Sequence, residues 1–595
     1  MTAEQTGGTL LTHLARRWVL WVLLLWVLAA ISLIWFRWNA IHWFALPDTD
    51  DNLRIAEVRA WMAGQGWFDL RQYRLDPPGG ANIHWSRLVD LPIAAIIALT
   101  RPLFGGPLAD RIAVTIAPML PLAVALLGAA LTTRRLIDPR AFLLGPALLL
   151  CGQSSLYMFM PLRIDHHGWQ LAAMAMVLAG LLDSRPARGG LTVAIATSVS
   201  LVIGLEMMIF IAMAAGVVGL RWVWDRADAE RMRVYALALS GGTALGFALF
   251  ASYANRAPVC DALSPVWLSV AVLGGLLLFL LSLFSTESRM VRLAMAAAAG
   301  IILLTAFALA WPNCVGRPEG VSPELDRLWL SNIREAKPIY EHKASVILNM
   351  MMLPTIGLLG VLLACRLAWG TARLGSWLIA ALFAVTSYAL LFMQARIGPV
   401  AQIFAVPGAA FLGWIAVGWF SRQRYAAVRI FGTVAVVLLV SGLYSRWLVP
   451  LVAPERPTAG TRIINRANAR CPTLPALRPI ALMPATTIMT FVDLGPRLIA
   501  VTHHSAIAGP YHRNGDAILD IHHAFGGTAQ TAHAIALKHG ATMVLICPNS
   551  NESTIYRARN PNGFYAQLAA GRQIDWLQPV PLPKSSPFKL WKITR

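Results

Sequence analysis

The chain reads as a polytopic α-helical membrane protein with a C-terminal soluble α/β domain. Three observations predict that class. Apolar stretches of about 18–22 residues recur along most of the chain, each long enough to cross a ~30 Å hydrocarbon core. Charge is scarce: 13% of the 595 residues are charged, 57% are hydrophobic, and mean hydropathy is +0.59, whereas a soluble domain carries roughly 25% charged residues. Past residue 455 the pattern changes to short strand-like runs and a helical stretch, the alternation of a small α/β domain. Disordered, collagen-like and disulfide-scaffold classes are excluded. The net charge of +21 invites a nucleic-acid reading. Most of the Arg residues, however, sit in short loops between apolar spans, where the positive-inside rule collects them. The expected surroundings are a lipid bilayer, with no nucleic acid.

Arg16 and Arg17 precede an apolar run over 18–36. It is too long for a cleavable signal and lacks a small-residue cleavage site, so it reads as an uncleaved first span with a cytoplasmic N-terminus. A polar stretch rich in Trp, Asp, Gly and Pro follows over 37–90. The next apolar segment, 91–104, is short and ends at Pro102, Gly105 and Gly106. A span there would put Arg134, Arg135 and Arg140 outside and invert every later basic loop, so it is assigned to the interface. Spans then fall near 112–132, 141–158, 168–183, 190–203, 206–221, 234–253, 266–284, 294–311, 346–365, 375–393, 401–419 and 428–450. With the first, that makes about thirteen. The clusters Arg185/Arg188, Arg221/Arg226/Arg231/Arg233, Arg289/Arg292, Arg366/Arg373 and Arg422/Arg424/Arg429 all land inside. Loops 37–111, 159–167, 254–265, 312–345 and 394–400, and the tail, face out. The expectation is a bacterial inner-membrane protein with residues 1–454 in the membrane domain, large outer loops at 37–111 and 312–345, and a periplasmic domain at 455–595.

The tail opens with a Pro/Arg-rich linker over 454–462. Strand-like runs are read at 480–483, 488–491, 498–501 and 543–547, with a helix over 528–539 that stops at Gly540. No internal repeat and no low-complexity segment is evident. Of six Cys, Cys151 and Cys365 belong to spans; Cys260 with Cys314, and Cys471 with Cys547, could each bridge in an oxidising compartment. No CxxC metal spacing occurs.

Ionisable groups at membrane depth are expensive and mark function. Here they gather on one side, at the mouths of spans. Asp48, Asp50 and Asp51 follow the first span; Asp165, His166 and His167 form a turn between two spans. Glu335 lies in the loop 312–345, Arg396 opens an outer loop, and Asp493 lies in the outer domain. Carboxylates with one imidazole suit a hard divalent cation, Mg²⁺ or Mn²⁺, and a nearby guanidinium suits phosphate.

In order and local sequence these segments resemble the catalytic subunit of oligosaccharyltransferases, polytopic glycosyltransferases of the GT-C class. PDTDDNLR (47–54) is similar to the first acidic motif, an Asp six residues before an Arg, which selects Asp48. DPPGGANIHWSRLVD (76–90) resembles the Pro-Gly…His-Trp…Asp segment of the same loop. RIDHHGWQ (163–170) resembles the archaeal second motif, NIREAKP (332–338) the TIxE motif with Asn332 for Thr, and QARIGPVAQIFAVPG (394–408) the segment whose Arg contacts lipid-linked pyrophosphate. FVDLG (491–495) stands where the family has WWDYG, keeping Asp493 and Gly495 and losing both Trp and the Tyr.

The resemblance implies a GT-C-like fold and transfer of a sugar or oligosaccharide, with inversion, from a polyprenyl (pyro)phosphate carrier on the extracytoplasmic side. It assigns Asp48, Asp50 and Asp51 to catalysis, and Asp48, Asp165, His167 and Glu335 to Mg²⁺ or Mn²⁺. Arg396 would take the donor phosphate, and Asn332, Asp493 and Gly495 the acceptor. The Gly-flanked YHRN loop (511–514), with His512 and Arg513, is a further candidate for acceptor contact. Phe491 and Val492 offer no side-chain donor, so a standard Asn-X-Ser/Thr acceptor is not expected. A different protein motif, a lipid or a polysaccharide remains open, as does a monophosphate donor. The competing classes are a transporter, which predicts mid-span charges or paired halves, and an envelope-complex scaffold.

Overall fold

The structure is a computed structural model that describes residues 12–284, 286–316, 319–452 and 456–594. Pro454, where the linker was expected to open and the domain boundary to fall, lies outside them. Among the described residues eight helices are long and apolar enough to cross a membrane. They are α1 (Trp18–His42), α4 (Gly106–Leu136), α7 (Pro186–Ile203), α9 (Arg226–Phe250), α10 (Pro265–Leu283), α11 (Arg289–Ala310), α12 (Ala344–Leu367) and α14 (Ala395–Phe420). Five shorter apolar helices fall at the other five expected spans: α5 (Pro139–Cys151), α6 (His167–Leu181), α8 (Met208–Trp224), α13 (Leu374–Leu390) and α15 (Ala426–Ser441). Lipid supplies no hydrophobic drive between helices, so close packing rests on small residues. Where α12 meets α14, a Cβ on Gly408 would lie 1.9 Å from the Gly357 carbonyl oxygen, and one on Gly360 would lie 2.1 Å from that of Gly408.

Two helices lie in the loop between α1 and α4. The segment 91–104 is a helix, α3 (Asp90–Phe104), which buries Ile93, Ala94 and Ile97 and exposes Leu99, Leu103 and Phe104. Before it, α2 (Thr49–Met62) is buried on every side from Asp51 to Val58, acids and Arg included. A helix so enclosed must satisfy its charges internally. A short antiparallel ribbon, β1 (Arg71–Gln72) with β2 (Ala81–Asn82), separates the two.

The C-terminal domain is a five-stranded mixed sheet flanked by helices. Its strands β3 (Thr487–Met489), β4 (Ser505–Ala506), β5 (Met543–Ile546), β6 (Leu577–Val580) and β7 (Lys589–Ile593) lie in the order β4-β3-β5-β7-β6. β3 pairs parallel with β4 and β5, whereas β7 runs antiparallel to β5 and β6. The helix expected over 528–539 spans Ala529–Lys538, capped by the Thr528 side chain and followed by Gly540 at φ +60°.

Three readings are corrected. Ile480 lies in the helix Leu474–Ala481, and 498–501 belongs to the helix Gly495–Val501. Each begins on a proline near its first position, Pro475 or Pro496, whose fixed φ suits a helix start and outweighs the strand-like apolar run. The linker residues from 459 belong to the helix Ala459–Arg470, capped by Thr458. Both outer cysteine pairs are disulfides, Cys260–Cys314 and Cys471–Cys547.

The domain shares its core with the loops 37–111 and 312–345: Leu53, Trp85, Leu325 and Trp329 pack into the same apolar cluster as Phe491, Ile518 and Val544. Arg497 donates to the Phe44 carbonyl (3.0 Å) and to Asn52 Oδ1 (3.1 Å). The Tyr511 hydroxyl donates to the Thr49 carbonyl (3.2 Å).

Candidate active site

The first acidic motif and the turn between α5 and α6 meet around one guanidinium. Asp48 is the N-cap residue of α2, yet its side chain makes no capping bond; Arg163 Nη1 donates to its Oδ2 at 2.7 Å. Arg163 also donates to Asp51 Oδ2 (3.1 Å) and to Asp165. Asp51 Oδ1 accepts from the backbone N–H groups of Ile164 (2.8 Å) and Asp165 (3.1 Å), which fixes the turn against α2. Asp165 Oδ1 accepts from the His167 N–H at 3.0 Å and lies 3.3 Å from His167 Nδ1, a buried nitrogen with no hydrogen-bond partner.

Negative charge is in excess. Burial, and after it the charges of Asp48 and Asp165, pushes Asp50 well above the usual carboxylate range, with Glu335 adding to the push. Burial also raises Asp51, to about 8; Arg163 opposes the shift, and Asp165 and Asp48 reinforce it. Glu335 sits exposed on the turn Arg334–Ala336. That loop is tied to the start of α14: the Ala395 N–H donates to the Lys337 carbonyl at 2.8 Å. Arg396, on the same turn, is half-buried with its Nε unpartnered. Three carboxylates, Asp48, Asp51 and Asp165, share the one guanidinium, and the His167 nitrogen lies beside Asp165, a donor set of the kind a divalent cation takes.

A second layer holds the first. Arg54 pairs with Asp90 (2.7 Å), which Arg87 also approaches (3.4 Å), and its guanidinium lies 4.6 Å over the Trp85 ring. Arg54 Nη2 reaches His166 Nδ1 at 3.4 Å, and His166 Nε2 lies 2.8 Å from Glu206 Oε1. Glu206, whose other oxygen accepts from Gln170, therefore belongs to this cluster. The Asp-to-Arg spacing of six has a structural meaning: the cap of α2 offers Asp48 to the mouth, and the buried helix sends Arg54 into this layer.

The acceptor candidates lie elsewhere. Asn332 Nδ2 donates to the Leu328 carbonyl (3.0 Å). The backbone N–H groups of Val492 and Asp493 donate to Glu552, each at 2.8 Å. Asp493 has exposed surface, yet the protein packed around its carboxyl, and then the charge of Asp48, raise it to about 6. Gly495 is pressed against Ala508, where a Cβ would lie 2.1 Å from the carbonyl oxygen. His512 and Arg513 are taken up by Asp261. Sequence reasoning passed over Arg163, Arg87 and Asp261. The signal for Arg163 was an Arg two residues from an Asp at a span mouth, which needs a partner.

A helical membrane bundle with acids at one mouth and a C-terminal sheet domain is the fold that this chain shares with archaeal oligosaccharyltransferases of known structure. Among solved structures the chain is similar to archaeal oligosaccharyltransferase AglB from Archaeoglobus fulgidus in complex with an inhibitory peptide and a dolichol-phosphate. The TM-score is 0.69 at 15% identity, covering 95% of this chain and 73% of that one. An Archaeoglobus fulgidus oligosaccharyltransferase tethered with an acceptor peptide containing the NVT sequon gives 0.62 at 15% identity, covering 88% and 69%. A complex with Zn and sulfate gives 0.58 at 15% identity, covering 88% and 67%. No protein-family model and no curated protein matches the sequence.

Proposed function

We propose that the chain is an inverting glycosyltransferase that moves a sugar or oligosaccharide from a polyprenyl (pyro)phosphate carrier to an acceptor outside the cytoplasm. The observation that carries this reading is the convergence of Asp48, Asp51 and Asp165 on one mouth of the bundle, with the unpartnered nitrogens of His167 and Arg396. Asp48, Asp165, His167 and Glu335 would hold Mg²⁺ or Mn²⁺. Bound there, the ion supplies positive charge for the leaving (pyro)phosphate. Arg396 takes the phosphate oxygens through its free N–H groups. Asp48, open at the mouth and aligned by Thr49 and Arg163, accepts a hydrogen bond from the acceptor nucleophile and holds it opposite the leaving group. Such orientation can supply several of the roughly 7–11 kcal/mol available from positioning. Asp50 and Asp51 keep Asp48 and Arg163 in place. The archaeal neighbour's dolichol-phosphate supports a lipid-linked donor. The acceptor side supports a group other than the standard sequon, because Phe491 and Val492 cannot donate to a hydroxyl.

The test is transfer from a labelled lipid-linked sugar extract by the full chain in detergent, with Mn²⁺ or with EDTA, beside Asp48→Ala and Glu335→Ala. Transfer that needs the ion and is lost in both variants supports the reading, and the labelled product names the acceptor. Transfer that survives both variants overturns the site. No transfer with any lipid donor returns the weight to a transporter or scaffold.

A further inference from the structure

Three separate pieces of the chain meet at a polar cluster that the transfer chemistry does not use. His84 follows β2, Asp261 lies in the outer loop 254–265, and His512 belongs to the C-terminal domain. Each offers one ligand atom, and these atoms all lie within 4.8 Å of one another. His512 Nε2 is 2.6 Å from Asp261 Oδ2, and the His84 and His512 ring centroids are 4.6 Å apart. Arg513 grips the same carboxylate with Nε on Oδ2 (2.7 Å) and Nη2 on Oδ1 (2.6 Å). His84 Nδ1 is buried with no hydrogen-bond partner, an unusual state for a buried polar atom. The pieces are held in register: Asn255 Nδ2 donates to the His84 carbonyl (3.2 Å), Arg513 Nη1 to Asn255 Oδ1 (2.8 Å), and the Cys260–Cys314 disulfide anchors the residue before Asp261.

We propose that His84, Asp261 and His512 form a second cation site, a two-imidazole, one-carboxylate set for Zn²⁺ or a similar transition-metal ion, which pins the C-terminal domain to the outer loops. The chemistry of the donors separates it from the first site. Imidazole nitrogen with a single carboxylate suits Zn²⁺, whereas the oxygen-rich mouth around Asp48 and Asp165 suits Mg²⁺ or Mn²⁺. A ligating histidine must be neutral. His84 Nδ1, buried and without a hydrogen-bond partner, is open to such an ion. A carboxylate offers about four acceptor positions; Arg513 takes two, and the ion takes the one now used by His512. Arg513 then remains as the outer partner that orients the ligating carboxylate, the arrangement metal sites commonly use. Three protein ligands leave a fourth position for water. This site does not depend on the transferase reading.

The experiment uses the full-length protein in detergent, stripped with a chelator and titrated with Co²⁺, which reports low-coordinate nitrogen ligation by its visible absorption. Wild type gains the absorption, Zn²⁺ bleaches it, and Mg²⁺ does not. His84→Ala and His512→Gln weaken Co²⁺ binding by about tenfold or more, while Asp165→Ala retains it. Size-exclusion profiles and melting curves show that each variant is folded; the Gln amide can still donate to Asp261, so that variant keeps the contact without the imidazole. Absorption that is absent from wild type, or that survives both histidine substitutions, overturns the proposal. Absorption lost in Asp165→Ala overturns it too, by assigning the ion to the carboxylate mouth.

Discussion

Two walls, the acid cluster of the membrane domain and the segment 491–495 of the C-terminal domain, solve opposite problems. On the membrane-domain side, Asp48, Asp51 and Asp165 share one guanidinium, with Asp50 half-buried beside Asp48 and Asp165, and His167 Nδ1 makes no hydrogen bond. On the C-terminal side, the segment 491–495 is self-sufficient. Phe491 packs among Phe525, Tyr556 and Tyr565 with ring centroids 5.0–5.7 Å apart, and Glu552 satisfies the next two backbone N–H groups. Unsatisfied polar groups persist only where a ligand completes them or function holds them. The difference teaches that one side shares charge among several side chains while the other is satisfied by packing and by its own backbone partner.

The largest expected effect comes from the charged wall. Asp165→Ala removes the carboxylate that lies beside both Arg163 and His167 and should cut transfer by at least about 10³-fold, equivalent to roughly 4 kcal/mol; a loss below tenfold would break the contrast. The packed wall should answer in stability instead. Phe491→Ala empties an aromatic site that is 2% exposed and should cost about 3–5 kcal/mol in denaturant unfolding of the full chain. A variant that unfolds like wild type would show that this wall is not held by packing.

Arg163→Gln sharpens the picture of the first wall. The guanidinium competes with any divalent ion for Asp48 and Asp165, so its removal should tighten Mn²⁺ binding by about tenfold, equivalent to about 1.4 kcal/mol, read by the loss of the free-Mn²⁺ resonance. Weaker binding would mean that Arg163 builds the site. The smallest effect tests the join between the two regions. His539 lies 3.2 Å from Asp76 of the first outer loop and 2.7 Å from Asp520 of the C-terminal domain. Burial lowers its pKa, but the bonds to the two Asp outweigh this and raise it above 6.5. A raised histidine stabilises fully below pH 6.5 and loses that contribution as pH climbs through its folded value. The unfolding free energy of wild type, read from melting curves, should therefore fall more than that of His539→Gln above pH 6.5, by less than about 1 kcal/mol after solvent screening.

The membrane helices were legible because lipid demands long apolar runs, and loop charge orders them. Within the C-terminal domain, 543–547 read truly as a strand, whereas 498–501 did not. A short apolar run fits strand and helix equally, and there the proline at 496 decided. Asp48 and Asp165 could be nominated from local sequence, as could Glu335, but their partners could not. Arg163 looks like one more loop arginine until α2 and the turn before α6 are brought together, and Asp261 carries no local motif.

Composition and hydropathy by themselves determined that this is a bundle of membrane helices with acids at one mouth and a soluble tail, since the bilayer acts on each segment separately. Tertiary structure alone decided which acids share a guanidinium, that Glu206 joins His166, and that His84, Asp261 and His512 meet. The physical reason is range. Solvation and propensity act over one helix or strand, but these ion pairs and ligand sets join different elements, with Arg163 and Asp48 115 positions apart and His512 and Asp261 251 apart, and only the packed chain brings them within hydrogen-bond distance.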